Sequence, residues 1–215
     1  IGVEGALASY RACFESIDQL QNIVHQIGSK AGFKKKKSLY FAALKKDVPD
    51  LKTEWMARKD AGFAVKWLES DEIEEKYQLS NTWGGILSAQ GGSVDAFKLA
   101  HEILEYNVKK ELRVYDKTAL IEVKYGANFN SIIVETGAEI KARKIIYCTG
   151  YEGSSMIPEK FVDLLSTYAI VSEIEPNMNK FFQNMLFWNT AKPYLYLRST
   201  DDQRRQRGIG AENGA

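Results

Sequence analysis

Leu7, Tyr10, Phe14, Ile17, Leu20, Val24 and Ile27 recur every three or four positions, the spacing that gathers side chains on one stripe of an α-helix. Gly28 is the expected stop, because glycine takes the left-handed conformation that ends helices without steric cost. Residues 38–43 then read as a strand. Residues 48–61 read as a helix capped by Asp47, with Pro49 tolerated in its first turn. Residues 63–68 read as extended chain, and a short helix opens at Ser70 with Asp71 and Glu72 at its positive end. Residues 82–90 read as a strand broken at Gly84-Gly85, followed by a turn at Gly91-Gly92-Ser93.

In 94–110, Phe97, Ala100, Ile103, Leu104 and Val108 mark a second amphipathic helix. Beyond Leu112 the apolar period falls to two. Strands over 118–124 and 131–136 flank a loop holding Gly126, Asn128 and Asn130, a hairpin signal. Residues 139–142 pair next, and 144–148 form a short apolar strand ending at Thr149-Gly150. Further strands are predicted over 167–174, 185–190, 194–199 and 204–209, with turns at Pro176-Asn177 and Asp201-Asp202-Gln203. Helices and strands arranged in blocks predict an α+β fold with a large, mostly antiparallel sheet.

The chain has 215 residues, enough to bury a core without staples, and a formal net charge of +1. That balance gives no basic footprint for nucleic acid or acidic lipid, so neither is expected as a partner. Cys13 and Cys148 have no metal-type spacing, and a reducing, cytoplasmic setting is expected. No apolar run approaches a membrane span and no signal peptide is visible. His25 and His101 have no partner at ligand spacing and read as surface residues. The run Lys34–Lys37 reads either as an anion-binding patch or as a solvated edge leading into a strand.

Three segments carry chemistry. From Gly92 to Gly150 the order is a turn, Val94-Asp95-Ala96, a helix, a strand with Thr118-Ala119-Leu120, a hairpin, and a strand closing on Cys148-Thr149-Gly150. A late strand reads Pro193-Tyr194-Leu195-Tyr196-Leu197-Arg198, in which alternate positions put two phenols and a guanidinium on one face. Such a face either lines a pocket, with Arg198 gripping a carboxylate through two parallel hydrogen bonds, or is a packed sheet face with Arg198 at its solvent end. The third segment is Arg207-Gly208-Ile209-Gly210-Ala211-Glu212-Asn213, a glycine-rich loop or simply a terminal turn.

Taken in order, these segments resemble the D-amino-acid oxidase superfamily, which includes glycine and sarcosine oxidases. Val94-Asp95-Ala96 is similar to the family's VDP start, Cys148-Thr149-Gly150 to its A-T-G close, residues 193–198 to its PYxYxR strand, and residues 210–213 to its G-G-E-D loop; Ala96, Ala211 and Asn213 depart from the pattern. The resemblance implies a mostly antiparallel substrate-domain sheet with helices, plus a partial FAD-binding region made of a β-meander and one strand of a parallel sheet. It implies an organisation of 1–90 as substrate-domain part, 91–156 as partial FAD-binding domain and 157–215 as substrate-domain strands. It implies FAD as cofactor, approached by Leu120, Thr149, Gly150, Gly210 and Ala211. Its substrate would be a small amine or amino acid, oxidised at the C–N bond with hydride transfer to FAD and lined by Tyr194, Tyr196 and Arg198.

The family's Gly-x-Gly-x-x-Gly phosphate turn does not occur in these residues. Together with the start at Ile1, this leads us to expect a fragment that lacks the dinucleotide-gripping segment, holds FAD weakly and is inactive alone. In that case the strand over 144–148 lacks its sheet neighbours. The alternative is a non-catalytic binding domain with an oxidase-like fold.

Overall fold

The computed structural model describes residues 2–156, 166–200 and 203–209. Among these, the chain runs α1 (Gly2–Ile27), β1 (Lys34–Lys35), β2 (Lys37–Phe41), a 3-10 turn (Lys45–Asp47), α2 (Val48–Asp60), β3 (Val65–Leu68), α3 (Ser70–Tyr77), β4 (Gly85–Ser88), β5 (Gly92–Ser93) and α4 (Ala96–Val108). It continues with β6 (Leu120–Lys124), β7 (Asn130–Val134), β8 (Glu139–Ala142), a 3-10 segment (Gly150–Met156), β9 (Tyr168–Val171), α5 (Lys180–Gln183), β10 (Met185–Asn189), β11 (Leu195–Ser199) and β12 (Arg205–Ile209). Two compact units result: Ile1–Ile103 with Leu165–Ala215, and Leu104–Leu164.

The first unit is built on a seven-stranded sheet in the order β3-β4-β2-β10-β11-β12-β9. Neighbours are antiparallel except β2 and β10, which run parallel with Leu39 opposite Phe187. The mixed α+β architecture is therefore the one expected. Side chains alternate across the pleat, so each strand feeds two faces. On one face Leu39, Phe41, Leu68, Met185 and Phe187 meet Ile73 and Tyr77 of α3 and Phe182 of α5. The Phe182 and Phe187 rings lie 4.8 Å apart. Burying each such side chain contributes about 1.5–3 kcal/mol. On the opposite face α2 lays Leu51, Trp55 and Val48 over Trp67, Ile86 and Tyr40.

Gly84 closes the turn into β4 at φ +96°, and a Cβ there would meet the Trp67 ring at 2.6 Å. The position needs glycine for both its backbone and its space.

Several local expectations are corrected. Asp47 does not cap α2, since its own backbone is already helical (φ −84°, ψ −12°). Its carboxylate accepts instead from the Leu44 amide at 3.2 Å and from the Thr190 hydroxyl, whose oxygen accepts from the Ala43 amide at 2.9 Å. The acid thus clasps the end of β10 to the exit of β2. In α4 the buried residue is Leu99, packed with Val24 and Ala31, whereas Phe97 is 77% exposed beside His101. The 3.6-residue period fits more than one stripe, and the C-terminal end of α1 selects among them. Gly92 and Ser93 are not only a turn: they pair with Lys35 and Lys34. Within the basic run Lys36 is buried, its Nζ donating to the Gln183 carbonyl at 3.0 Å, while Lys35 pairs with Asp18. This run is neither a uniformly solvated edge nor an open patch.

The second unit carries the predicted meander β6-β7-β8, with a register shift between Leu120 and Glu122. Residues 144–148 form no strand here, contrary to expectation. They have no ladder partner among the described residues, and Ile146 is 85% exposed. An extended segment without neighbours leaves its backbone groups to water.

Phe187→Ala should destabilise the first unit by about 3–5 kcal/mol through the cavity it leaves, whereas Phe97→Ala should change stability by less than about 0.5 kcal/mol. Urea denaturation midpoints check both, and equal shifts would contradict the placement of the core.

Candidate functional site

The register of the large sheet assembles two rows of side chains on the face away from the Phe187 core. One row reads Trp67, Ile86, Tyr40, Trp188, Tyr196, Gly208 and Ala169 from β3 to β9. The next reads Val65, Ser88, Ser38, Leu186, Arg198, Gln206 and Val171. The β3–β4 end is occupied by α2. Towards β10, β11 and β12 the same face presents aromatic and polar groups that are only half-buried.

Tyr196 and Arg198 both stand on this face, two residues apart on β11. Tyr194 lies just before the strand rather than within it, 49% exposed, with its ring 6.4 Å from that of Tyr196. The Tyr196 ring lies across Gly208 of β12: a Cβ at 208 would stand 1.8 Å from the Tyr196 ring carbon bearing the hydroxyl. Glycine there is what gives the phenol its seat. Arg198 donates from Nε to Gln206 Oε1 at 2.8 Å, and Arg198 and Gln206 are direct cross-strand partners. Its two terminal nitrogens carry no protein partner among the described residues.

Arg198 also lines a cleft of about 530 Å³ with Thr200, Ser93, Val94 and Asp95. The Asp95 carboxylate in this cleft accepts from the Lys98 amide at 2.9 Å and so caps the start of α4. A second, more apolar cleft of about 250 Å³ lies between α1 and the same sheet face, lined by Tyr10, Phe14, Ser38, Ser88, Gln90 and Trp188. At its margin the Tyr10 hydroxyl accepts from Arg58 Nη2 at 2.8 Å, and Arg58 is paired with Glu54. Burial is the largest influence on the Tyr10 and Tyr40 phenols and pushes both up; the Glu54 carboxylate adds to the rise and Arg58 opposes it. Both phenols stay neutral at physiological pH and can donate hydrogen bonds.

The remaining expected site residues belong to other places. Leu120 begins β6 and is exposed, and Thr149 and Gly150 are exposed at the start of the 3-10 segment, all three in the second unit. Gly210 and Ala211 lie outside the described residues. Tyr40, Trp188, Ser38 and Gln206 join this face without a motif in the sequence that marks them. Period-two alternation in β2, β10 and β12 could have placed each on a face, but not beside the others, because strand order is not written in any one strand.

The family model described as FAD dependent oxidoreductase (DAO) matches residues 2–213. This chain belongs to that family. Among solved structures it is similar to L-proline dehydrogenase from P. horikoshii, with TM-score 0.75 and 17% identity over 93% of this chain and 55% of that one. It is similar to glycine oxidase from Geobacillus kaustophilus, with TM-score 0.71 and 15% identity over 98% of this chain and 55% of that one. It is also similar to NikD, an amino acid oxidase essential for nikkomycin biosynthesis, with TM-score 0.69 and 14% identity over 94% of this chain and 55% of that one. At such identities the likeness establishes the shared fold. No curated protein matches the sequence. The chain spans about half the length of these structures.

FAD is the cofactor of the family, and the residues described here fit it only in part. The open aromatic face can wall a planar ring system or a small substrate. Nothing described forms a phosphate cradle. The glycine spacing that brings a helix N-terminus to a pyrophosphate is absent from the 215 residues. At Gly150 an added Cβ would meet nothing within 4 Å among the described residues.

Gly208→Ala should cost about 1–3 kcal/mol by forcing the Tyr196 ring off its seat. In a Tyr196→Ala background the same change should cost far less. A double-mutant cycle of unfolding free energies measures the coupling, and additive costs would contradict the stacking.

Proposed function

We propose that the full-length protein is an FAD-dependent oxidoreductase that oxidises the C–N bond of a small amine or amino acid. The observation that carries this reading is the half-buried Arg198, whose terminal nitrogens have no protein partner among the described residues while it shares a sheet face with Tyr196 and Trp188. A guanidinium in that posture is suited to a planar, two-oxygen acid group. In this reading Arg198 anchors the substrate's carboxylate, and Tyr194 and Tyr196 form an apolar wall with hydroxyl tips beside it. The sheet fixes these groups on a rigid element, so that binding energy orients the substrate rather than ordering the protein. Membership of the FAD-dependent family supports the assignment, as does its fold likeness to an L-proline dehydrogenase, a glycine oxidase and an amino acid oxidase.

FAD supplies the electron-accepting chemistry when bound. We assign its closest contacts in this chain to Leu120, Thr149, Gly150, Gly210 and Ala211, and its phosphates to residues of the full-length protein outside this chain. The proposed organisation is a substrate-domain part over 1–90, a partial FAD-binding domain over 91–156 and further substrate-domain strands over 157–215. On its own this polypeptide holds FAD weakly and turns nothing over. Among the described residues no helix is long and apolar enough to cross a membrane; the setting proposed for this small-molecule chemistry is the cytoplasm.

Arg198→Ala in the full-length enzyme should raise KM for carboxylated substrates by about 10- to 100-fold, the range expected for losing a charge-assisted pair, and leave KM for the corresponding amines nearly unchanged. Steady-state kinetics on paired substrates test this. An unchanged KM removes Arg198 from the role. A full-length protein without a flavin's visible absorbance favours the non-catalytic alternative.

A further inference from the structure

We infer that Gln206 is a positioning residue for Arg198, restricting the guanidinium to end-on recognition of a carboxylate. The inference rests on the proposed role of Arg198 and adds a determinant that lies on the neighbouring strand.

A guanidinium can grip a carboxylate in two ways, side-on through Nε and one terminal nitrogen, or end-on through the two terminal nitrogens. Here Nε is already committed. It donates to Gln206 Oε1 at 2.8 Å, and the antiparallel register of β11 and β12 places the two residues directly opposite each other. The side-on edge is thereby closed, and the end-on pair is the bidentate edge that carries no protein partner among the described residues.

The tether also removes rotational freedom from a long side chain before the ligand arrives, which reduces the ordering cost of binding. Gln206 is neutral, so it directs the cation without cancelling its charge. Two positions along β12, on the same face, Gly208 leaves the space into which the Tyr196 ring settles. Consecutive outward positions of β12 therefore set the posture of both β11 side chains, one by a hydrogen bond and the other by omitting a side chain. Acids whose two oxygens are coplanar fit the end-on fork, and the aromatic row beside it suits a ligand with a flat or apolar body.

The test uses the full-length protein with benzoate as the probe and benzamide as its uncharged counterpart, affinities being read by titration calorimetry. The wild type should prefer benzoate. Gln206→Met, close in shape but without the oxygen acceptor, should weaken benzoate by about five- to tenfold and change benzamide less than twofold. Gln206→Glu keeps an acceptor for Nε but adds a negative charge, so it should weaken benzoate further while sparing benzamide. The thermal unfolding midpoint of each variant shows that the fold is retained.

Equal benzoate affinity in Gln206→Met and wild type overturns the positioning role. So does a parallel loss for both probes, which would mark a merely structural residue. A wild type without preference for benzoate, or an Arg198→Ala variant that keeps that preference, overturns the carboxylate anchor itself and leaves the two failures distinguishable.

Discussion

The parallel pairing of β2 with β10 is the contact on which the rest of the first unit depends. Each strand alone is a short segment with one apolar face. Hydrogen-bonded together, they set Leu39 beside Phe187 and Phe41 beside Asn189, and the buried face of the sheet becomes continuous from β3 to β11. Parallel neighbours need a long crossover, and the chain between these two strands includes α2, α3, α4 and the whole second unit. The Asp47–Thr190–Ala43 clasp lies at the end of this seam, where a polar network ties the two strand exits.

Once that seam exists, the pleat divides labour between the two faces. One face is committed to packing against α3 and α5. The other is covered by α2 at its β3–β4 end and flanked by α1 over Ser38, Ser88 and Val65, while the β10–β12 stretch is only half-buried. The candidate site is this half-buried part. Its groups owe their positions to neighbours across the sheet more than to neighbours in sequence. Trp188 stands between Tyr40 and Tyr196, Arg198 is held by Gln206, and Tyr196 is seated by Gly208.

The second unit shows the converse case. The meander β6-β7-β8 forms from local hairpin pairing, and its strands were legible because adjacent strands with short loops need no information from elsewhere. Residues 144–148 share the apolar character of a strand, yet without a partner strand they form no ladder. Hydrophobic content sets a preference for burial. Only a neighbour with free backbone groups turns that preference into a strand.

The existence and order of α1, α3, α4 and the meander, the stop of α1 before Gly28 and the start of α3 at Ser70, and the chemistry of Tyr194, Tyr196 and Arg198 as a phenol–phenol–guanidinium series, were determined by the sequence alone, because periodicity and residue type are local properties. Which stripe of α4 is buried, that Asp47 serves Thr190 and Leu44 instead of the start of α2, that Lys36 lies inside, and that Gln206 and Gly208 govern Arg198 and Tyr196 were decided only in the tertiary structure. The physical reason is that hydrogen-bond partners and sheet neighbours are chosen across the fold. Period-two alternation says which residues share a face of one strand, and the strand order says which of them meet.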